Sequence, residues 1–242
     1  MTAPNLLTLE GVQTHIGAYH ILHGVDLAVP RGQLTMLLGR NGAGKTTTLR
    51  TIMGLWHASQ GRVRFGDKDI AAMHTPQIAE LGIAYVPENM GIFSDLTVKE
   101  NMLLAARGAK NAAQIDDTRL KWIFKLFPAV EKFWNHPAGK LSGGQKQMLA
   151  VSRAIVEPRE LLLIDEPSKG LAPVMINNMI DAFAELKRSG VTILLVEQNI
   201  NFAQRLGDTV AVMDNGRVVH SGSMAAFSAD AQLQQSLLGL AL

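Results

Sequence analysis

The sequence predicts an α/β fold built around a mainly parallel sheet. Short apolar runs of strand length alternate with amphipathic segments of helical spacing along most of the 242 residues. The runs at 34–38, 161–164 and 191–196 are almost wholly apolar, which is typical of strands buried on both faces. Strands and helices that alternate in this way indicate a layered α/β architecture.

The N-terminal part is predicted to hold five strands and one helix. Alternating or continuous apolar residues place the strands at 6–10, 24–29, 34–38, 61–65 and 82–86. Turns are expected at 30–32 and 66–67, and Pro87 stops the fifth strand. The helix covers 45–53, ends at Gly54 and directly follows a glycine-rich loop.

Residues 88–140 differ in pattern and are interpreted as a helical subdomain inserted into this core. Thr97 and Glu100 form the pattern of a capping box, which predicts the start of a helix. A polar loop is expected at 107–114. Helical spacing returns at 115–127, and the proline that follows ends this predicted helix.

After residue 141 the alternation of helices and strands resumes. Strands are predicted at 161–164, 191–196, 210–213 and 217–220, with a helix at 174–189. Asn215-Gly216 is a strong signal for the turn of the last hairpin. The whole chain, 1–242, is therefore expected to form one domain. Its core comprises 1–87 and 141–242, and 88–140 is the helical subdomain.

Composition limits the classes of function. The chain is 47% hydrophobic and carries a net charge of +2 without a basic stripe, so nucleic acid is not an expected partner. It has no cysteines, which excludes disulfides and thiolate metal sites and fits a reducing compartment. No apolar run reaches the roughly 20 residues of a membrane span, and the N-terminus lacks the pattern of a secretory signal. A soluble cytoplasmic protein is expected, with any membrane role through a partner.

The most informative segment is the glycine-rich loop between the strand at 34–38 and the helix at 45–53. It consists of Gly39, Arg40, Asn41, Gly42, Ala43, Gly44, Lys45, Thr46 and Thr47. Glycines let backbone N–H groups approach a phosphate closely, and a helix N-terminus adds the positive end of its dipole. Lys45 can reach the terminal phosphates, and Thr46 can ligate Mg²⁺. A plain turn with an exposed lysine is the alternative, but the flanking strand and helix favour a nucleoside triphosphate.

Asp165 and Glu166 follow the buried strand at 161–164. In open parallel sheets, ligands bind beyond the carboxyl ends of the strands, so both carboxylates are expected near the phosphate loop. Asp165 would hold Mg²⁺, and Glu166 would orient or deprotonate the water that attacks the γ-phosphate. The simpler interpretation is that a carboxylate at the end of the strand caps the next helix, but Pro167 indicates an interruption there rather than a helix start.

The segment Ser142, Gly143, Gly144 and Gln145 allows two interpretations. Ser142 and Gln145 match a capping box, so the segment could simply begin a helix at about residue 144. The same helix start also presents N–H groups and a hydroxyl to an anion. If a second copy docks head to tail, it can hold the γ-phosphate bound on its partner's loop.

Together these motifs resemble the ABC ATPase family, and the resemblance spans about residues 6–225. It rests on the phosphate loop 39–46, on Leu141-Ser142-Gly143-Gly144-Gln145, and on Leu162-Leu163-Ile164-Asp165-Glu166-Pro167. The resemblance implies a P-loop NTPase fold with a RecA-like core, an antiparallel β subdomain and a helical insertion. It also implies ATP held between two such domains, whose hydrolysis drives a conformational change in a bound partner.

Further segments are similar to one branch of this family, the ATPase subunits of branched-chain amino-acid uptake systems and their urea and amide relatives. They are 86–93, 126–128, 166–173 and 196–199. This similarity implies a second ATPase subunit, identical or not, and two membrane permeases. It also implies a periplasmic solute-binding protein and a position on the inner face of the plasma membrane.

Three positions depart from the common family pattern. Glu88 stands where many members have a glutamine that contacts Mg²⁺ and senses the permease. Gln198 stands where many have a histidine bonded to the γ-phosphate, and it can donate a hydrogen bond but cannot titrate. Ile16 stands near the position where family members usually have an aromatic residue that stacks on adenine. Tyr19 either substitutes for that aromatic residue or is a packing or surface residue. The seven histidines, including His15, His20 and His23, show no metal-binding spacing.

The sequence thus predicts an ATP-hydrolysing subunit of an importer that uses ATP and Mg²⁺. Lys45, Glu166 and Gln198 are the predicted catalytic residues. Thr46, Asp165 and Glu88 are the predicted metal ligands. A non-transport ABC ATPase that acts on nucleic acid or ribosomes is the alternative, although such proteins usually carry coiled coils or tandem domains. A non-hydrolysing regulatory subunit is a further alternative, against which Lys45, Asp165 and Glu166 argue.

Overall fold

The computed structural model describes residues 3–106 and 114–239, which form two β-sheets and ten α-helices. The strands are β1 Asn5–Ile16, β2 Tyr19–Pro30, β3 Leu34–Gly39, β4 Ala58–Phe65, β5 Lys68–Asp69, β6 Ile83–Val86, β7 Leu161–Asp165, β8 Thr192–Val196, β9 Thr209–Asp214 and β10 Arg217–Ser223. The loop predicted at 107–114 lies, apart from Gln114, outside the described residues.

The helices lie between and after these strands. They are α1 Lys45–Ile52, α2 Thr75–Glu80, α3 Val98–Ala105, α4 Asp117–Leu126, α5 Pro128–Lys132, α6 Gly143–Ala154, α7 Pro173–Arg188, α8 Ile200–Leu206, α9 Met224–Ala229 and α10 Ala231–Leu238. In the described part of the chain, no helix has the length and apolar character needed to cross a bilayer.

The two sheets differ in topology. The smaller sheet has the order β2-β1-β4-β5, and all its pairs are antiparallel. The larger sheet has the order β10-β9-β3-β8-β7-β6, in which only β9 and β10 pair antiparallel. The predicted α/β class with a mainly parallel sheet is confirmed.

The β1–β2 hairpin is longer than the sequence predicted. The strands expected at 6–10 and 24–29 continue outward until Ile16 pairs with Tyr19. The outer part has a polar residue, Thr14, at a buried position and exposed residues such as Tyr19 and His20 near its tip, so hydrophobic alternation does not mark it. Cross-strand backbone hydrogen bonds extend a hairpin regardless of side-chain polarity, and Gly11, at a register shift, interrupts the alternation further.

The region 88–140 contains α3, α4, α5 and a short 3-10 turn, Ala138–Lys140. The capping box at Thr97 is confirmed, since Thr97 Oγ1 accepts from Glu100 N and Glu100 Oε2 accepts from Thr97 N. The proline at 128 ends α4 as predicted. It also begins α5, because proline suits the first position of a helix.

The register of the parallel strands brings the predicted site residues to one edge of the larger sheet. Leu37 of β3 lies opposite Val196 of β8, and Val196 lies opposite Asp165 of β7. These three strands therefore end at nearly the same level. The segments that follow them, beginning at Arg40, Glu166 and Glu197, emerge side by side at one edge of the sheet.

Candidate nucleotide-binding site

The glycine-rich loop leaves β3 in a tightly packed turn. Gly39 has φ +148, and a Cβ there would lie 2.3 Å from the backbone oxygen of Met213. Gly44 has φ +103 and precedes α1, and no side chain caps this helix start. The first amides of α1 are thus left without a side-chain partner, which is the arrangement that receives an anion at a helix N-terminus.

Lys45 lies deep at the base of this loop, with 5% of its surface exposed. Its Nζ donates to the carbonyls of Gly39 at 2.9 Å and Arg40 at 3.0 Å, and it lies 3.8 Å from Glu166 Oε1. Burial lowers the pKa of Lys45, whereas the nearby carboxylates oppose that shift. These contacts hold the ammonium group inside the loop.

Asp165 and Thr46 meet at the predicted metal position. Thr46 Oγ1 donates to Asp165 Oδ1 at 3.1 Å, and Tyr85 Oη donates to Asp165 Oδ2 at 3.4 Å. Burial is the main cause that raises the pKa of Asp165 to about 6. A hydroxyl and a buried carboxylate are the hard oxygen ligands that Mg²⁺ prefers, so these residues fit the ion.

Glu166 is held in one orientation by its neighbours. Its backbone lies in the left-handed region at φ +48, and its N–H donates to Val196 O at 2.9 Å. Gln198 Nε2 donates to Glu166 Oε1 at 2.5 Å. These two predicted catalytic residues, which lie in the segments after β7 and β8, are therefore in direct contact.

Glu88 lines the same cavity as Lys45 and Glu166. It pairs with Lys169, whose Nζ is 2.5 Å from Glu88 Oε1. The cavity measures about 350 Å³ and is lined by Ile21, Asn41, Gly42, Gly44, Lys45, Thr46, Thr47, Glu88, Glu166 and Lys169. Most of the predicted phosphate-loop residues thus surround one space, together with Glu166 and Glu88.

The helix start at Ser142 lies apart from this cavity. The predicted capping box is present, because Ser142 Oγ accepts from Gln145 N at 3.4 Å and Gln145 Oε1 accepts from Ser142 N at 2.9 Å. Ser142 and Gly143 are exposed, and space is open around Gly143. The four residues Ser142, Gly143, Gly144 and Gln145 are not among those that line the phosphate cavity.

Residues 22–169, more than half of the chain, match the family model described as ABC transporter. The chain belongs to the ABC transporter family. It is 38% identical to the high-affinity branched-chain amino acid transport ATP-binding protein BraG of Pseudomonas aeruginosa, over 97% of this chain and 100% of BraG. It is 35% identical to the probable branched-chain amino acid transport ATP-binding protein LivF of Archaeoglobus fulgidus, over 84% of this chain and 86% of LivF.

The solved structures agree. The ADP conformation of an ATP-binding cassette of an ABC transporter superposes with a TM-score of 0.82 at 26% identity, covering 98% of this chain and 100% of that one. The predicted P-loop NTPase fold and the resemblance to the branched-chain amino-acid branch are therefore confirmed. This ABC cassette binds adenine nucleotide and is an ATPase.

Sequence reasoning missed Glu197 of this cassette. Its carboxylate is 2% exposed and accepts hydrogen bonds from three backbone amides, Ser168 N at 2.9 Å, Gln198 N at 3.1 Å and Asn199 N at 3.2 Å. Glu197 therefore ties the segment after β7 to the segment after β8. The available signal was a charged residue directly after five buried strand residues.

Sequence reasoning also assigned no role to Tyr85 and Lys169. Tyr85 lies on β6, next to β7, and its hydroxyl contacts Asp165. Burial raises the pKa of Tyr85 to about 12, so the hydroxyl stays protonated and acts as a donor. The contact of Tyr85 with Asp165 and the contact of Lys169 with Glu88 do not follow from sequence spacing, because each depends on which strands are neighbours.

The tip of the β1–β2 hairpin contains Ile16 and Tyr19 and has a group of histidines beside it. Tyr19, at the tip of the β1–β2 hairpin, is 75% exposed, so its ring is accessible. His15 and His20 stack with ring centroids 4.1 Å apart, and His23 contacts His20 at the same distance. Over residues 3–106 and 114–239, no three His, Cys, Asp or Glu side chains are placed to hold a metal.

Proposed function

We propose that this cassette is the ATP-hydrolysing subunit of an importer for branched-chain amino acids or a related small solute. Its main support is that Lys45, Thr46 and Glu166 line one cavity and that Asp165 contacts Thr46. The names of BraG and LivF support the class of solute. The solute itself is selected by other subunits.

The proposed roles follow from the contacts of each side chain. Lys45 and the loop amides bind the β- and γ-phosphates by charge and hydrogen bonds. Thr46, Asp165 and Glu88 hold Mg²⁺, which neutralises phosphate charge when bound. In the described residues no three His, Cys, Asp or Glu side chains are placed to hold a metal by themselves, so the nucleotide would help to hold the ion here.

Glu166 and Gln198 act on the attacking water and the γ-phosphate. Glu166 orients the water and accepts its proton as the oxygen bonds to phosphorus and the bond to the bridging oxygen breaks. Gln198 donates one amide N–H to Glu166 and has a second N–H for the γ-phosphate. Because both side chains are already in contact, little reorganisation is needed before the reaction.

The second half of the site comes from another ATPase subunit, identical or not. At this helix start Ser142 and Gly143 are exposed, Gln145 is partly buried and Gly144 is buried, and all four lie outside the cassette's own cavity. We assign them to the γ-phosphate of the nucleotide bound by the partner. Each composite site then contains one phosphate loop and one serine-capped helix start.

The permease partner is assigned to a groove of about 800 Å³ on the helical side. Arg50, Leu104 and Arg153 line it, and Leu104 is an exposed apolar residue. The segment 88–91 connects it to the phosphate cavity, because residue 88 lines the cavity and residues 89–91 line the groove. Two permeases would hold two cassettes at the inner face of the plasma membrane, with a solute-binding protein supplying the solute and no nucleic acid involved.

The decisive test is Glu166→Gln in the cassette assembled with its permease. We expect ATP binding to be retained and turnover to fall by about 10²–10³-fold, because the water loses its proton acceptor. Glu80→Gln, an exposed residue at the end of α2, is the matched control and should leave turnover unchanged. Unchanged turnover in Glu166→Gln would remove Glu166 from its proposed role.

The transport assignment needs a separate measurement. The cassette should co-purify with its permease and a second cassette, and proteoliposomes that contain the complex should take up a branched-chain amino acid only with ATP. Failure to capture a permease, or uptake that is independent of ATP, would contradict the importer assignment.

A further inference from the structure

Lys169 makes two ion pairs at the rim of the phosphate cavity. Its Nζ lies 2.5 Å from Glu88 Oε1 and 3.5 Å from Glu166 Oε2. The backbone supports this placement, since Lys169 N donates to Glu166 O at 3.2 Å and Gly170 continues the turn at φ +70. One lysine thus bridges the proposed water-activating carboxylate and the proposed third metal ligand.

The charges around the cavity explain why a cation is useful there. A triphosphate must enter a space whose walls include Glu88 and Glu166, with Asp165 beside it. Lys45 is the buried cation at the base of the loop. Lys169 also lines the cavity and supplies a second positive charge beside Glu88 and Glu166, which would otherwise repel the phosphates.

The ion pair between Lys169 and Glu88 lies where it can break and re-form. The Lys169 side chain is 57% exposed and that of Glu88 is 43% exposed, so water screens their attraction. A lysine has a flexible stem and a single point charge, which lets it leave one carboxylate without breaking a rigid network. The buried Lys45, with its two carbonyl acceptors, lacks this freedom.

We propose that Lys169 is a positioning residue that serves as an internal counter-ion for Glu88 and Glu166 and is displaced from Glu88 by Mg²⁺-bound nucleotide. Without a divalent cation, Lys169 compensates the two carboxylates and permits nucleotide to bind. With Mg²⁺, Glu88 would become a ligand of the ion and would no longer pair with Lys169, which stays beside Glu166. This inference rests on the proposed function, because it assigns Glu88 to the metal.

The test measures equilibrium binding of a fluorescent ADP derivative to the full chain, once with EDTA and once with saturating Mg²⁺. We expect Lys169→Met to weaken binding up to about fivefold in EDTA, the range of one partly exposed ion pair, and by less than about twofold with Mg²⁺. Lys169→Arg keeps the charge and should bind like the wild type in both conditions.

A double mutant shows whether the loss of binding in Lys169→Met is caused by the unpaired Glu88. In EDTA, Lys169→Met combined with Glu88→Gln should bind within about twofold of the wild type, because the uncompensated carboxylate is removed together with its counter-ion. Lys68→Met removes the same charge from the smaller sheet, where its side chain is exposed, and should have no effect. Thermal unfolding of each variant shows that the fold is kept.

Three results would overturn the inference. They are unchanged binding in Lys169→Met, an equal loss with and without Mg²⁺, and a double mutant as weak as Lys169→Met. Failure of the wild type to bind ADP would contradict the nucleotide site and this inference with it. Normal wild-type binding together with any of those three results contradicts the role of Lys169 alone.

Discussion

Two glycine-rich helix starts in this cassette differ in how their amides are used. The start of α1 has no side-chain cap, and Lys45 is buried directly beneath its loop. The start of α6 is capped by its own Ser142 and Gln145 and is exposed. The first is therefore built to receive an anion within one chain, and the second is stable without one.

This difference shows which parts of the nucleotide site a single subunit contains. The cavity beside α1 contains the loop, Glu166 and Glu88, whereas α6 contributes no lining residue to it. If the α6 start binds phosphate, that phosphate belongs to another molecule. Substitutions at the α1 start should weaken nucleotide binding by the isolated chain, whereas those at the α6 start should leave that binding unchanged and lower turnover of the pair.

Lys45→Ala is expected to have the largest effect. It removes the buried cation and leaves the carbonyls of Gly39 and Arg40 without their donor. ADP affinity should fall by about 10²–10³-fold, the equivalent of about 3–4 kcal/mol for a charged group with its hydrogen bonds. Isothermal titration of the isolated cassette measures this, and a loss below tenfold would show that the loop amides alone suffice.

A pair of glycine substitutions compares the packing of the phosphate loop, at the end of β3, with that of the α6 start. Gly39→Ala places a Cβ 2.3 Å from Met213 O at a positive φ, so its free energy of unfolding should fall by about 3 kcal/mol. Gly143→Ala enters open space and should change it by less than about 1 kcal/mol. Urea denaturation measures both, and equal losses would contradict the difference in packing.

Ser142→Ala separates capping from catalysis. Losing the cap should cost about 1 kcal/mol of unfolding free energy and leave ADP binding by the isolated chain unchanged. Turnover of the assembled complex should fall at least about tenfold if the hydroxyl contacts the partner's phosphate.

Thr97→Ala is the matched control for Ser142→Ala. It removes an equivalent capping box at the start of α3. Its stability loss should be similar, and turnover should be unaffected. Equal turnover in the two variants would reduce Ser142 to a helix cap.

Glu197 gives the smallest expected effect, through pH. Burial raises the pKa of this carboxyl above its ordinary value of 4.5, so the folded state binds more protons than the unfolded state above that pH. Stability of the wild type should therefore fall, relative to Glu197→Gln, as pH rises from 4.5 through the raised pKa. Urea denaturation of both proteins between about pH 4.5 and pH 8 tests the sign. A difference that does not change with pH would mean that the pKa is not raised.

Local sequence signals predicted much of this molecule because they report on local physics. The apolar runs placed the buried strands β3, β7 and β8, and the capping boxes at Thr97 and Ser142 form as predicted. The outer β1–β2 hairpin was missed because a polar residue, Thr14, occupies a buried position there and interrupts the apolar alternation. The functions assigned to the site residues stay predictions, those of Lys45, Thr46, Asp165 and Glu166 as well as those of Ser142, Gln198 and Glu88.

The sequence by itself determined the chemical inventory: a phosphate loop ending in Lys45 and Thr46, two acids after a buried strand, and a serine-capped helix. Only the tertiary structure decided which of these groups touch. The parallel register brings Asp165, Glu166 and Gln198 to one edge, and strand order places Tyr85 on Asp165. Such contacts join residues 80 or more positions apart or bridge neighbouring strands, and their distances depend on how the sheet is assembled rather than on spacing along the chain.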